Sequence, residues 1–236
     1  MFAREARWVA DQLAAFPSDR ISPLLDIGSS TRDFRERVQP WISGTLLAPL
    51  ATRGVHITHL DSRSGDGIDI RADLLDDADF ERLRRIRYRA LLCCNILEHV
   101  RDPALFARRC VELVLPDGVI VVTVPKSYPR HGDPIDTLYR PTPDEAAALF
   151  PGTAVMAGEI INVGESYRDE VWRRPWLLLR HLARLPLPFL GIEKWQASMQ
   201  KPYWLFRNYQ VSAVMLQKPL ARTAGEGGAH AAGVGG

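Results

Sequence analysis

Long hydrophobic runs are missing from this chain. No stretch approaches the ~20 apolar residues that a helix needs to cross a bilayer, although 46% of the 236 residues are hydrophobic. The apolar residues are therefore left to build a globular core. Cysteine is scarce. Cys93, Cys94 and Cys110 show neither CxxC nor a histidine-paired spacing, which excludes a disulfide scaffold and a thiol-rich zinc site. The adjacent pair lies inside an apolar run that reads as a buried strand, so buried thiols in a reducing compartment are expected. An excess of one charge is lacking too: 30 Lys and Arg face 28 Asp and Glu, net +2. That balance indicates neither disorder nor a basic field on the scale of nucleic-acid binding, and no nucleic-acid partner is expected. The opening MFAREARWVADQLAAF carries charges at Arg4 and Glu5 and has no long apolar core. It does not read as a secretory signal, and a cytoplasmic protein is expected.

What is present is an alternation. Residues 3 to 15 place Trp8, Val9 and Leu13 at helical intervals, with Phe16-Pro17 as the stop. Short apolar runs then alternate with longer helical ones. The runs are 23–28, 55–61, a third over Gly67-Ile68-Asp69-Ile70, and stronger ones at Ala90 to Cys94 and Val119 to Val124. Such spacing predicts a mainly parallel sheet with crossover helices. Asp102-Pro103 and Thr142-Pro143-Asp144-Glu145 read as helix starts, the second with capping-box spacing. Pro116-Asp117-Gly118 reads as a turn, and Pro151-Gly152 as a stop. Residues 153 to 163 and 208 to 217 read as two further strands. The expected organisation is one domain over 1–218, with a core at 20–125, a loop and helix at 126–150 and an insertion at 164–206. Residues 219–236, Gly- and Ala-rich without aromatics, read as a disordered tail.

Four signals carry chemistry. Leu24-Leu25-Asp26-Ile27-Gly28-Ser29-Ser30-Thr31 is a strand running into a small-residue loop and a helix, where backbone can approach a ligand and N–H groups face an anion. Ser30 and Asp33 stand where a dinucleotide fingerprint would have its later glycines. Asp61, at the end of the next strand, can accept both hydrogen bonds of a ribose diol. Asp73 can receive an adenine amino group. The fourth signal is Leu91-Leu92-Cys93-Cys94-Asn95-Ile96-Leu97-Glu98-His99-Val100-Arg101-Asp102-Pro103, followed by Leu115-Pro116-Asp117-Gly118 and a valine-rich strand ending at Pro125.

With Asp26, Gly28, Asp61 and Asp73 in order, this set resembles the class I S-adenosylmethionine-dependent methyltransferases, in particular the type 11 pattern of an apolar strand, LEHV-x-DP, a helix, L-x-PGG and a strand ending in proline. Asp117 departs from the family glycine in a way that still permits the turn. The resemblance covers roughly 20 to 125 and implies a Rossmann-like α/β fold. Its sheet would be seven-stranded and mixed, mostly parallel, with the last strand antiparallel and helices on both faces. S-adenosyl-L-methionine would lie across the carboxyl ends of the first strands. Asp26 and Gly28, with Ser29 and Ser30, would shape the methionine pocket, Asp61 would hold the ribose and Asp73 the adenine. Asn95 and Ile96 would sit near the methyl group. A methyltransferase acting on a small-molecule or glycan- or lipid-type acceptor, at oxygen, is thus expected. The alternatives are a catalytically inactive cofactor-binding module and an NAD-dependent oxidoreductase.

On the acceptor side, Asn95, Glu98 and His99 have the i, i+3, i+4 spacing of ligands on one helical face. An amide in first place weakens a site for a hard cation, so no metal is expected, and Glu98 and His99 read as packing and capping residues. Ser127 to Arg140 is dense in polar groups for a connecting loop. His131 is the candidate general base, since an imidazole titrates near ~6.5, and Tyr128, Asp133, Asp136, Tyr139 and Arg140 are candidate acceptor contacts. The other reading is a structured loop in which the aspartates cap turns and Arg140 forms a salt bridge. The arginines at 82, 84, 85, 87 and 89 read as a solvated helix face, and no NPPY-type segment marks a DNA amine methyltransferase. Residues 165–206 hold Trp172, Trp176, Trp195 and Trp204, four of the six tryptophans. A cap over the acceptor pocket is the expectation there, with a homodimer contact and peripheral membrane contact left open.

Overall fold

A computed structural model describes residues 1–130, 135–184 and 192–220. Its strands are β1 (Leu24–Ile27), β2 (Ile57–Asp61), β3 (Ile70–Arg71), β4 (Tyr88–Cys94), β5 (Val114–Ser127), β6 (Ala154–Ser166) and β7 (Asn208–Gln217). They form a seven-stranded sheet in the order β3-β2-β1-β4-β5-β7-β6. β1 to β5 run parallel, and β7 lies antiparallel between β5 and β6. The expected mixed sheet is thus present, and the strand order reverses between β1 and β4, where α/β folds place their ligands. The predicted strands at 153–163 and 208–217 are β6 and β7.

Around the sheet lie α1 (Ala3–Ala14), α2 (Ser18–Ile21), α3 (Ala48–Thr52), α4 (Asp77–Leu83), α5 (Pro103–Leu113) and α6 (Pro143–Ala147). Strand alternation sorts the core onto two faces. Leu25, Ile27, Leu91, Cys93, Ile120 and Val122 pack with α4 and α5. Leu24, Ala90, Leu92, Val119 and Val121 pack with α1, α2 and α3. Because both faces are covered, β4 and β5 read as almost continuous apolar runs. Each fully buried Leu or Val in them contributes about 1.5–3 kcal/mol. The helix starts are as read: Asp102 accepts from Leu105 N at 2.9 Å with Pro103 at the first helical position, and Thr142 and Glu145 close a reciprocal capping box.

Three local readings are corrected. The third run shrinks to Ile70–Arg71, because Gly67, at φ +75°, turns the chain before the ladder begins. The helix after β1 forms largely as two π-helical stretches, Phe34–Val38 and Ile42–Leu47. Gln39 N reaches Phe34 O, five residues back, at 2.8 Å, and Pro40 between them has no N–H to give. The turn at Pro116-Asp117-Gly118 lies inside β5 as an irregularity opposite Arg89, since Tyr88 pairs with Val114 but Ala90 with Val119. Asp117 adopts φ +67° there, and its carboxylate takes Gln217 Nε2 at 2.7 Å and pairs with Arg20.

The insertion leaves the sheet after β6 and returns at β7, both at the carboxyl edge. It contains α7 (Tyr167–Arg173), α8 (Trp176–Arg184) and α9 (Ile192–Gln200), then a 3-10 stretch Lys201–Leu205. Tyr167, Tyr209, Val211 and Ala213 anchor it in a third cluster. Trp172, Trp176 and Phe206 of this region are exposed. Residues 185–191 of the insertion and 221–236 of the expected tail lie outside the described residues.

Candidate active site

The site grows from the loop after β1. Gly28 has φ +68°, and a Cβ there would stand 2.9 Å from Ile96 Cδ1, so only glycine lets the loop after β1 lie against the loop after β4. Ser30, also left-handed at φ +57°, donates its N–H to Asp61 Oδ2 at 2.9 Å. Arg63 N–H donates to Asp61 Oδ1 at 2.9 Å. Asp61, 5% exposed, is therefore fixed at the end of β2, and each oxygen keeps a lone pair for a ligand hydroxyl.

Arg35, which sequence reasoning passed over, ties these loops together. Its buried guanidinium donates to the carbonyls of Ser29, Ser30 and Gly67. Burial pulls its pKa below the ordinary value, with Asp26 and Asp69 opposing. Nothing marks it among the many arginines of the sequence. Asp26 is turned away from the loop crest: its Oδ2 lies 3.0 Å from Nδ1 of His59, its register partner on β2.

A cleft of about 450 Å3 opens along this edge, within the range of small-ligand sites. Gly28, Asp61 and Asp73 supply its polar wall, while Ile27, Leu60, Leu74, Ile96, Val100 and Phe106 supply the apolar one. Asp73 is exposed and holds the next turn by accepting from Leu75 N at 2.9 Å. Ser30 and Asp61 also border a smaller adjoining cavity of about 320 Å3. Asp26, Ser29 and Asn95 support these walls without lining the main cleft. The donor set fits a nucleoside: a buried carboxylate at a strand end for a diol, a further carboxylate 12 positions on at Asp73 for an amino group, and an apolar slot for a planar base.

Beyond the cleft the chain builds a buried polar knot. Asn95, at φ +54°, donates Nδ2 to Glu5 Oε1 at 2.7 Å. Thr123 Oγ1 donates to the same oxygen at 2.5 Å, and Phe2 N–H donates to Oε2 at 2.9 Å. Glu5 is fully buried. It was missed, although it falls one turn before Val9 on the apolar stripe of α1, and Thr123 is the polar member of a valine run on the face α1 covers. The segment Leu97–His99 is a single 3-10 turn, so Asn95, Glu98 and His99 do not share a helical face. Glu98 is fully buried, neither carboxyl oxygen bonds a described residue, and His99 Nε2 stands 3.7 Å from Oε1. Burial pushes its pKa up to about 8, with the Glu5 carboxylate adding and Arg140 opposing.

Of the candidate acceptor contacts, Asp136 and Arg140 form a bidentate ion pair at 3.0 and 2.7 Å, and Asp136 also accepts from Leu138 N at 2.8 Å. That is the structured-loop arrangement. Tyr139 packs against the core beside α6. Tyr128 stacks edge-on with Phe2 and Tyr209 at 5.7 and 4.7 Å between ring centres, and burial pushes its phenol up to about 12. His131 and Asp133 lie outside the described residues.

No family model matches the chain. Among solved structures, it is similar to coclaurine N-methyltransferase bound to N-methylheliamine and SAH, with TM-score 0.54 at 14% identity over 91% of this chain and 72% of that one. It is likewise similar to the StiE O-MT, with TM-score 0.52 at 15% identity over 92% and 74%. The chain has the fold of the class I S-adenosylmethionine-dependent methyltransferases. Among curated proteins, the chain is similar to ubiquinone biosynthesis O-methyltransferase of Marinobacter nauticus, 28% identical over 102 residues, 36% of this chain and 43% of the relative. The Neisseria meningitidis serogroup A protein of the same name is 28% identical over 83 residues, 34% and 35%. The chain thus matches less than half the length of these relatives.

Proposed function

We propose that this chain is an S-adenosylmethionine-dependent methyltransferase acting at oxygen on a small-molecule, glycan- or lipid-type acceptor. The observation that carries the reading is the cleft at the reversal of strand order, where buried Asp61 is held by two backbone N–H groups and Gly28 leaves no room for a side chain beside Ile96. Asp61 holds the ribose, Asp73 the adenine amino group, and Ile96 packs the site beside the transferring carbon. Bound there, the cofactor supplies an electrophilic methyl group. The protein's own share is alignment of the acceptor, exclusion of water and removal of one proton. His131 is the residue assigned that proton, on its place in the sequence after β5.

Calorimetry with S-adenosylhomocysteine and with NAD tests the cofactor. Saturable binding of the former alone is expected; binding of NAD without response to S-adenosylhomocysteine refutes the reading. Incubation with methyl-labelled cofactor and cell extract then identifies the acceptor, and absence of any labelled product despite cofactor binding favours the inactive module. Once an acceptor is known, unchanged turnover and pH profile in His131→Ala exclude its role as base.

A further inference from the structure

The insertion turns an apolar, arginine-flanked face outward. Trp176, Leu179 and Leu182 follow at three-residue intervals on α8 and are 52%, 69% and 53% exposed, while Leu177 is buried. Trp172 at the end of α7 is 79% exposed and Phe206 after the 3-10 stretch 88%. Side chains of this size left in water mark a surface meant for contact. They do not line the described cofactor cleft, so the outward face is not the wall of that site. No described helix is long and apolar enough to cross a membrane.

Charge selects the partner. Residues 165–207 carry eight Lys and Arg against four Asp and Glu, while the rest of the chain carries 22 against 24, so the basic surplus is confined to this segment. Arg180 lies over the Trp176 ring at 5.1 Å and Arg207 over Tyr203 at 4.3 Å, which keeps guanidinium heads at the rim of the apolar face. A second copy of the chain would set these arginines against one another. An aqueous polyanion would leave the leucines and tryptophans uncovered. An anionic bilayer surface answers both, taking the apolar side chains among its acyl chains and the guanidiniums among its phosphates.

We propose that the α7–α8 face docks this protein on anionic membranes. Because β6 ends and β7 begins at the carboxyl edge of the sheet, docking there brings that edge to the lipid surface. This surface is argued independently of the cofactor reading, which S-adenosylhomocysteine binding checks on the same samples.

The test is flotation of the full chain with vesicles of phosphatidylcholine mixed with phosphatidylglycerol, against phosphatidylcholine alone. Binding to the mixed vesicles, lost at high salt, is expected, together with quenching of tryptophan fluorescence by brominated acyl chains. Leu179→Asp should lower binding at least tenfold, and Arg180→Ala and Arg207→Ala about fivefold each, all with S-adenosylhomocysteine affinity retained. The parent protein's quenching stands even where a variant fails to fold. Failure of the parent to bind mixed vesicles, equal binding to neutral vesicles at high salt, or a lipid-free dimer that Leu179→Asp dissociates would overturn the proposal. So would a loss confined to turnover of a soluble acceptor, which is the signature of a cap.

Discussion

Replacing Glu98 with glutamine removes a titratable group from a position that water does not reach. Both carboxyl oxygens lack a hydrogen-bond partner among the described residues, and burial pushes the pKa from 4.5 to about 8. In the unfolded chain the same group titrates near ~4.3. Below that pH both states hold the proton and the group does not affect folding. As the pH rises past it, the unfolded chain ionises while the folded one stays protonated, so the folded state binds more protons and stability falls with pH. The fall is about 1.4 kcal/mol per pH unit and ends near pH 8, where the folded group ionises too. The whole interval sets an upper bound of about 5 kcal/mol, and local relaxation reduces this to on the order of 2–4 kcal/mol. Glutamine keeps the size of the side chain and removes the titration. Urea denaturation of both proteins between pH 5 and pH 8 measures the difference, in which the other titrating groups cancel. Glu98→Gln should gain stability relative to the parent steadily with pH. Parallel stability curves would show that Glu98 is not buried as an acid and refute the reasoning.

Asp61→Ala should cost about 1.5–3 kcal/mol of S-adenosylhomocysteine affinity, the scale of hydrogen bonds to a charged group; calorimetry giving an unchanged Kd would remove Asp61 from the site. Glu5→Ala takes the acceptor from the buried Thr123 Oγ1 and from the half-buried Asn95 Nδ2 and Phe2 N, and should cost about 2–4 kcal/mol in chemical denaturation. A loss below about 0.5 kcal/mol would mean that the knot is not formed in solution.

The half of the molecule that carries the cleft was legible because its signals are local. Gly28 is required where one backbone crosses another, Asp61 stands at a strand end, and the strand runs announce themselves by two-sided burial, so position along the chain nearly equals position in the site. The loop after β5 was less so. Asp136 and Arg140 drew attention as polar residues in a loop, and the fold joins them in an ion pair. Glu5 lies 90 positions from Asn95 and 118 from Thr123, and no periodicity joins groups that far apart.

By itself, then, the order of residues determined the alternation of strands and helices, the two-faced sheet and the small-residue loop after β1, since each follows from neighbours a few positions apart. Only the tertiary structure decided that α1 delivers a buried carboxylate to the end of β4, that Glu98 is closed off from water, and that Trp172 and Trp176 of the insertion face outward. Those are matters of which surfaces meet, and desolvation depends on every element packed around a group rather than on the residues beside it in the chain.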